Sequence, residues 1–551
     1  MELLINNNSV VLNSDDNIIT FFNSRDILQL SNLSKLIKIN TLNISSCNTL
    51  TNLPESIDTL INLTKLEIYY CHMLKSLPES IGNLINLTKL DIYYCVELTD
   101  IPDSLGNLIN LTEFTIYGCK LLTAIPDSIC NLTSLSKLVI SYCNLLIDIP
   151  ESICNLTNLK ILRIVYCDIL KQLPELLGNL TNLSILEISN CNVITALPES
   201  ICNLENLKEL HISMCYSITI LPVMLGNLKN LTEFTLYYCN LLTVLPESIG
   251  NLKQLRILEI SNCNLLTEIP SSICNIITLK VLQIAYCNSL ITIPYCIGNL
   301  INLTKLYISN CCLLTHLPES ICNLINLKEF IIYYCNSISV LPYNIGNLIN
   351  LEIFKIYICN EITIIPETIG FCTNIHTMIC ESSGFTCDNI PPSIILCVKL
   401  KILIGSDDIV YNIDEIRKVW YSKIISYPSD PSYNSFYTKP IKDIIDINNL
   451  YKWRCNTHYL HSINMQNTIT ILLLILQNLN TSNTSNTSNT SNTSNTSNKF
   501  CNKTLLIEEM LNNITNENYD FLNLKTSIQD NLKNIENTYS INCHHNVFYC
   551  N

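Results

Sequence analysis

Cysteine is the residue type whose number and spacing first suggest chemistry in this 551-residue chain. The chain has 29 cysteines, and fourteen of them recur every 24 residues without a break. This set, which we name the cysteine ladder, is Cys47, Cys71, Cys95, Cys119, Cys143, Cys167, Cys191, Cys215, Cys239, Cys263, Cys287, Cys311, Cys335 and Cys359. Thiols can form disulfides, bind metals or act as nucleophiles, so each role competes with a structural one.

The fixed period of the cysteine ladder argues against disulfides within it. A 24-residue period predicts a solenoid, in which each repeat is one supersecondary unit stacked on the next. Neighbouring strands stack at about 4.8 Å with parallel Cβ vectors, whereas a disulfide needs Cβ atoms about 3.5–4.5 Å apart. We therefore predict reduced thiols that pack as small apolar groups at the strand ends.

Further cysteines occupy the position that Gly82 holds in its own repeat. These five, which we name the slot cysteines, are Cys130, Cys154, Cys202, Cys274 and Cys322. Because cysteine alternates with glycine there, the pattern predicts a position that simply requires a small residue.

Metal-binding or catalytic groups could instead come from outside the repeats. The candidates are Cys455-x-x-His458-x-x-His461, Cys543, His544, His545 and Cys550, with Cys455 or Cys501 as a possible nucleophile. Neither spacing is that of a standard zinc site, and nothing in the sequence shows that a cysteine and a histidine meet. We expect no catalytic residue, no metal and no cofactor, with an enzyme that uses Cys455 or Cys501 as the competing hypothesis.

One half of each repeat predicts a short strand. The segment 87–95 reads Leu-x-x-Leu-x-Ile-x-x-Cys, in which Leu90 and Ile92 are two residues apart. They therefore point to one side of a strand, and Asp91 and Tyr93 point to the other. Stacked in parallel, such strands bury one continuous core.

The other half of each repeat predicts a helical or 3₁₀ turn on the outer side. Pro78 suits the first position of such a turn, and the acidic Glu79 suits the positive end of its dipole. Gly82 and Asn83 tolerate left-handed conformations, so we expect a tight bend there.

The motif resembles the leucine-rich repeat family. The closest subclass is the 24-residue form of intracellular plant disease-resistance proteins, with Leu-Pro-x-x-Ile-Gly-x-Leu after a strand that ends in Cys. The resemblance implies an α/β solenoid: a horseshoe with a parallel concave sheet, short helical or 3₁₀ turns on the convex side, and protein-binding activity. The nucleotide-binding motif Gly-x-x-x-x-Gly-Lys is absent from the chain.

Charge and hydropathy exclude several classes of function. The net charge of −14 argues against a nucleic-acid partner. Residues 1–16 lack the features of a signal peptide, and the apolar run 469–476 is much shorter than the ~20 residues of a membrane span. We expect a cytoplasmic, monomeric protein without membrane contact. Its Asn- and Ile-rich composition is similar to that of repeat proteins of AT-rich large DNA viruses of amoebae or of slime moulds.

Much of the acidity forms one row beside the prolines. This acidic row is Glu55, Glu79, Asp103, Asp127, Glu151, Glu175, Glu199, Glu247, Glu319 and Glu367. It predicts a solvated outer face with favourable placement at the turn dipoles. The alternative is an acidic docking strip for a basic partner.

The two positions before each ladder cysteine are rich in tyrosine, and they are our candidate binding residues. The predicted partner-binding set is Tyr69, Tyr70, Tyr93, Tyr94, Tyr117, Tyr237, Tyr238, Tyr333 and Tyr334. Tyrosine is enriched at interface hot spots because it offers a large contact area with a polar tip at low entropic cost. The alternative is that the rings only stack on each other and stabilise the sheet.

The sequence divides into five segments. We expect an N-terminal cap at 1–38, about sixteen repeats at 39–408, and a C-terminal cap or small non-repeat domain at 409–479. A Thr-Ser-Asn low-complexity linker at 480–498 and an Asn-rich tail at 499–551 follow.

The function predicted from these features is a non-enzymatic protein–protein interaction scaffold that binds a protein partner on its concave face. The alternative is a substrate adaptor of a ubiquitin ligase, which would need a helical docking element within 409–479. The sequence does not identify the partner.

Overall fold

The computed structural model describes residues 10–13, 18–22, 38–381, 391, 394, 397, 399–404 and 410–411 of the chain. These residues form one sheet of nineteen strands. The strands are β1 (Val10–Asn13), β2 (Ile18–Phe22), β3 (Thr41–Ser45), β4 (Lys65–Tyr69), β5 (Lys89–Tyr93), β6 (Glu113–Tyr117), β7 (Lys137–Ser141), β8 (Ile161–Val165), β9 (Ile185–Ser189), β10 (Glu209–Ser213), β11 (Glu233–Tyr237), β12 (Ile257–Ser261), β13 (Val281–Ala285), β14 (Lys305–Ser309), β15 (Glu329–Tyr333), β16 (Ile353–Tyr357), β17 (Thr377–Glu381), β18 (Ile402–Ile404) and β19 (Val410–Tyr411).

Each strand from β2 to β18 pairs in parallel with the next strand along the chain. The register advances by 24 residues per strand, as in the pairing of Thr41 with Lys65. It advances by 23 residues from Ile18 to Thr41, and by 25 from Thr377 to Ile402. At both ends of the described sheet an antiparallel strand, β1 or β19, pairs with the last parallel one.

The alternation of side chains along each strand separates a core face from an open face. In β5, Leu90 and Ile92 at the second and fourth positions are completely buried. The first, third and fifth positions, here Lys89, Asp91 and Tyr93, point to the other side, which we name the open face. The predicted strand is confirmed, and the open face corresponds to the concave side of the predicted horseshoe.

Short 3₁₀ turns run along the opposite side of the solenoid. They are Glu55–Thr59, Glu79–Asn83, Asp103–Asn107, Asp127–Asn131, Glu151–Asn155, Leu177–Asn179, Glu199–Asn203, Leu225–Asn227, Glu247–Asn251, Ser271–Asn275, Ile297–Asn299, Glu319–Asn323, Ile345–Asn347 and Glu367–Phe371. Where a turn has five residues, the proline before it is the N-cap, so Pro78 precedes the first turn position instead of occupying it. Its extended conformation, with φ −70° and ψ 152°, sends the chain into the turn.

The left-handed residue of each repeat lies just before the ladder cysteine, so the prediction for Gly82 and Asn83 was wrong. Tyr70 has a φ of 55°, and Gly118 at the same position has a φ of 73°. The reversal lets the Tyr70 N–H donate to the Tyr93 carbonyl of the next strand at 2.8 Å. The following cysteine then turns into the core.

Gly82 is small for a different reason, which is contact with the next repeat. A Cβ on Gly82 would lie 2.4 Å from the backbone oxygen of Ser104. Four of the five slot cysteines avoid this clash because the residue 22 positions later is not serine, and the turn there shortens to three residues. These pairs are Cys154 with Leu176, Cys202 with Met224, Cys274 with Cys296, and Cys322 with Asn344.

One continuous apolar core runs through the stacked repeats. Each repeat contributes a buried set such as Leu87, Leu90, Ile92 and Cys95 from the strand half. Because every repeat buries its apolar side only against its neighbours, the core holds the open face in a fixed register.

Candidate functional site

The candidate site is the open face, whose side chains lie in three columns across the sheet. The parallel register places Tyr69 beside Tyr93 and Tyr93 beside Tyr117 in the fifth-position column. The residue after each strand adds a fourth column, which contains Tyr70 and Tyr94. All nine predicted binding tyrosines lie in the fifth-position column or in this fourth column.

The first group of tyrosines forms a continuous stack across five repeats. Ring centroids are 5.0 Å apart for Tyr69 and Tyr93, and also for Tyr70 and Tyr94. The stack continues beyond the predicted set, because Tyr117 lies 4.9 Å from Tyr142. Its last pair is Tyr142 and Tyr166, whose centroids are 4.0 Å apart. We name these seven residues the tyrosine stack; they are Tyr69, Tyr70, Tyr93, Tyr94, Tyr117, Tyr142 and Tyr166.

Gly118 lets the two columns of the tyrosine stack join. It takes the place of a tyrosine in the fourth column, and a Cβ there would lie 2.8 Å from Cδ1 of Tyr94. The Tyr94 ring therefore leans into this space and meets Tyr117 edge to face, at 5.0 Å. From Tyr117 the stack crosses to Tyr142 in the fourth column.

Beside the tyrosine stack, the carboxylates of the open face are paired within the protein. The Tyr69 hydroxyl donates to Glu67 at 2.9 Å, and Lys65 Nζ lies 2.7 Å from the same carboxylate. Lys89 Nζ lies 3.2 Å from Asp91, which is only 3% exposed. Burial, followed by the hydrogen bond to Glu67, raises the pKa of Tyr69 above its usual value. This end of the face is therefore rigid and electrostatically balanced.

The middle of the open face is small, polar and acidic. Its fifth-position column carries Ser189 and Ser213, and its glutamates are Glu187, Glu209, Glu233 and Glu259. Arg163 lies 3.0 Å from Glu187, and the His211 ring lies 3.5 Å from Glu209. Burial and then the nearby Glu233 raise the pKa of Glu259 above its usual value.

A second aromatic group borders a shallow depression of about 290 Å³. It contains the predicted Tyr333, together with Tyr286, Tyr307 and Tyr357. Our predicted set missed Tyr307 because it occupies the third strand position, where most repeats carry a charged or small polar residue. Counting every second residue back from the ladder cysteine would have found it.

The remaining predicted residues lie apart from the tyrosine stack. Tyr237 donates its hydroxyl to Glu259, and Tyr238 makes an edge contact with Tyr216 at 6.5 Å. Tyr333 lies 5.9 Å from Tyr334. The structure thus groups the predicted residues into one stack and two separate clusters, and their binding role stays a prediction.

The ladder cysteines show no sign of chemical reactivity. Cys191 Sγ lies 3.7 Å from the Ile164 carbonyl and 3.5 Å from the Ser189 carbonyl, so the thiol donates weakly at the strand end. Burial raises the pKa of Cys119 to about 12. Since the thiolate is the nucleophile, such a thiol is inert at neutral pH.

One disulfide corrects the interpretation of the slot cysteines. Cys274 bonds to Cys296, which lies 22 residues later, with their Cα atoms 5.7 Å apart. Spacing of 22 brings the slot of one repeat against the turn of the next, whereas the ladder spacing of 24 keeps thiols in register. No disulfide joins two ladder cysteines among the described residues.

The acidic row caps the turns of the following repeat. Glu55 Oε2 accepts the Ser80 N–H at 3.2 Å, and Glu79 Oε2 accepts the Ser104 N–H at 3.3 Å. Glu199 Oε1 accepts the Val223 N–H at 2.9 Å. These contacts give part of the row a structural role that spacing alone did not reveal.

Asparagines make a second set of contacts between repeats. Asn86 Nδ2 donates to the Ile61 carbonyl at 2.7 Å, and Asn110 Nδ2 donates to the Ile85 carbonyl at 2.9 Å. The sequence analysis did not single out these residues, although their 24-residue spacing was visible. They fix the turn side just as backbone pairing fixes the strand side.

Other predicted features fall outside the description or concern absent groups. The Cys455, His461, Cys501 and Cys543 candidates lie outside the described residues. Within the described part of the chain, no three His, Cys, Asp or Glu side chains cluster as a metal site would require. No helix found there is long and apolar enough to cross a membrane.

Comparison with known families agrees with the repeat geometry. The family "Leucine-rich repeat region" matches residues 11–148 and 147–243. The family "Leucine Rich Repeat" matches residues 254–276 and 302–324, and the matches together span about half of the chain. The chain is a leucine-rich repeat protein. No curated protein matches this leucine-rich repeat chain.

Solved structures with a similar arrangement are distant in sequence. A leucine-rich repeat protein of Leptospira interrogans is 23% identical with a TM-score of 0.47, over 67% of this chain and 97% of that one. An internalin of Listeria monocytogenes is 19% identical with a TM-score of 0.39, over 69% of this chain and 92% of that one. The Toll–Spätzle complex of Drosophila gives 17% identity and a TM-score of 0.47, over 72% and 55%.

Proposed function

We propose that this leucine-rich repeat protein is a non-enzymatic scaffold that binds a protein partner on the open, concave face of its sheet. The observation that carries the proposal is the exposure of large side chains on that face. Tyr70, Tyr238 and Tyr334 are 46%, 39% and 41% exposed, although the sheet beneath them is fully packed. Rigid aromatic side chains that are already ordered lose little entropy when a partner covers them.

The uneven distribution of side chains favours a folded or extended protein as partner. The face changes from a balanced tyrosine stack through an acidic middle to a second aromatic group. A repetitive polymer would be recognised by one motif at every repeat. A surface that changes along its length supplies the distinct contacts that discriminate one protein from another.

The ends of the sheet support the predicted segment boundaries, which we carry forward as proposals. We propose that 1–38 and 409–479 act as caps, since β1 and β19 each end the parallel series with an antiparallel strand. Such a strand blunts an open sheet edge and favours a monomer. The linker at 480–498 and the tail at 499–551 lie outside the described residues. The spacing of 24 also supports the disease-resistance-like subclass.

Comparative capture with the full chain tests the scaffold. The test variant changes Tyr69, Tyr93, Tyr237 and Tyr333 to Ala on the open face. The matched control changes Tyr295 to Ala, because this tyrosine is 76% exposed on the turn side. We expect partners retained by the wild type and by the control to be lost by the test variant. Retention of every partner by the four-tyrosine variant would refute the proposal.

A further inference from the structure

The depression on the open face arises from three consecutive small residues in the fifth-position column. Ser261, Ala285 and Ser309 follow one another between the large Tyr237 and Tyr333. The resulting space of about 290 Å³ corresponds to roughly ten water molecules at about 30 Å³ each. We name it the tyrosine trough. Its size suits one long side chain rather than a nucleotide or a folded ligand.

The lining of the tyrosine trough combines aromatic surfaces with unused polar groups. Tyr286 and Tyr333 are 45% and 36% exposed, and neither ring belongs to the tyrosine stack. Among the described residues, the side chains of Gln283 and Ser309 make no hydrogen bond, so their oxygens are free to accept. Asn310 Nδ2 is buried without an acceptor, and a peptide carbonyl would supply one.

The charge beside the tyrosine trough is negative. Glu259 is the register neighbour of Gln283, and neither Glu259 nor Glu233 has a lysine or arginine within ion-pair distance in the described structure. Its field reaches the trough, because it contributes to the raised pKa of Tyr307, after burial and Glu329. Lys305 on this side is already paired with Glu329 at 2.9 Å.

The opposite end of the trough carries the other charges. Lys355 occupies the third position beside Ile331, and Glu381 follows Tyr357 in the fifth-position column. The excess of carboxylates over ammonium groups around the trough therefore favours a cationic occupant, with its charge directed towards Glu259.

We propose that the tyrosine trough holds an arginine side chain from an extended segment of the protein partner. A planar guanidinium stacks on tyrosine rings and offers five donors, which match the free oxygens of Gln283 and Ser309. Its charge faces Glu259, and the peptide carbonyl of the same segment reaches Asn310. The inference rests on the proposed scaffold function and names the chemistry of its anchor.

The direct test uses a small probe with the full chain. Binding of N-acetyl-arginine methylamide is titrated by ligand-observed NMR, alongside the lysine and phenylalanine analogues. We expect saturable arginine binding with a dissociation constant on the order of 1 mM, and weaker binding of both analogues. The variants Tyr333→Ala and Glu259→Gln should each weaken it by roughly three- to tenfold. The control Tyr69→Ala lies in the tyrosine stack and should change nothing.

The outcomes separate this inference from the scaffold proposal. Tighter binding of the phenylalanine probe, or no saturable binding of the arginine probe, overturns the arginine assignment. An effect of Tyr69→Ala equal to that of Tyr333→Ala would also overturn it, because binding would then not be in the trough. The scaffold fails independently, if the four-tyrosine variant still captures all partners. Partner capture that is lost with Glu259→Gln alone supports both.

Discussion

The disulfide between Cys274 and Cys296 makes a quantitative prediction about stability. It joins the slot of one repeat to the turn of the next, across a separation of 22 residues. Replacing Cys296 with Ser, or adding a reductant, removes this link without changing a ladder residue. The chain between the two cysteines includes one complete strand, β13, so its loss acts on the stacking of two adjacent repeats.

The size of the effect follows from the length of the closed loop. A cross-link restricts the unfolded chain, and for a loop of this length the chain-entropy model gives about 3 kcal/mol at 25 °C. Only the cooperative unit that contains these two repeats gains the full amount, because a solenoid is stabilised by nearest-neighbour contacts. We expect the oxidised wild type to exceed Cys296→Ser by this free energy of unfolding.

Urea denaturation with and without reductant measures the effect. Peptide mass spectrometry under non-reducing conditions identifies the bonded pair in the same samples. The wild type should lose stability on reduction, whereas Cys296→Ser should not respond. The control Cys130→Ser removes a slot cysteine that faces Ser152 instead of a second thiol, and it should respond like the wild type. Equal responses to reductant from wild type and Cys296→Ser would refute the reasoning.

Three further predictions concern other positions. Leu176→Cys should form a second disulfide with Cys154 under oxidising conditions, detected by non-reducing mass spectrometry, because the pair repeats the 22-residue spacing. Ile358→Asn should raise the urea midpoint by about 1 kcal/mol, since a β-branched residue there has a φ of 49°. Glu259→Gln should stabilise the protein at pH 7, because an acid with a raised folded-state pKa destabilises when ionised. This advantage should vanish as the pH falls below the unfolded-state pKa.

Controls accompany these three changes. Ser200→Cys faces Gly178 and should form no new disulfide, so bonding there would contradict the spacing rule. Asn262→Ile is the reverse of Ile358→Asn at the equivalent position and should destabilise. A lower midpoint for Ile358→Asn would mean that packing of the isoleucine outweighs its backbone cost. A Glu259→Gln advantage that persists at low pH would exclude ionisation as its cause.

The strand half of each repeat could be predicted from sequence because it depends on simple alternation. Leu90 and Ile92 are apolar and two residues apart, and burial of that face leaves one register. The turn was also predictable in kind, since Pro78 and Glu79 mark its start. The open-face positions of the tyrosines followed from counting back from the cysteine ladder.

The features that were not predicted depend on contacts between repeats. Nothing local marks Tyr70 as left-handed; the hydrogen bond to the Tyr93 carbonyl of the next strand holds it there. The pairing of Cys274 with Cys296 needs a 22-residue offset, whereas the visible pattern has 24. Likewise, whether Glu259 is paired depends on the side chains of neighbouring strands. Such three-dimensional neighbours decide which tyrosines are occupied and which are free.

The capping of one turn by the glutamate of the preceding repeat has a consequence for how such a chain can change in length. Glu79 and the Ser104 N–H that it accepts lie in successive repeats, and each repeat carries both a carboxylate for its successor and a donor for its predecessor. A duplication or deletion of 24 residues restores every such contact at the new junction, whatever its starting point within the repeat. A gene for this protein can therefore grow or shrink in whole-repeat steps while the fold is kept. Each step repositions the tyrosine trough relative to the tyrosine stack, which changes the span that a partner must bridge.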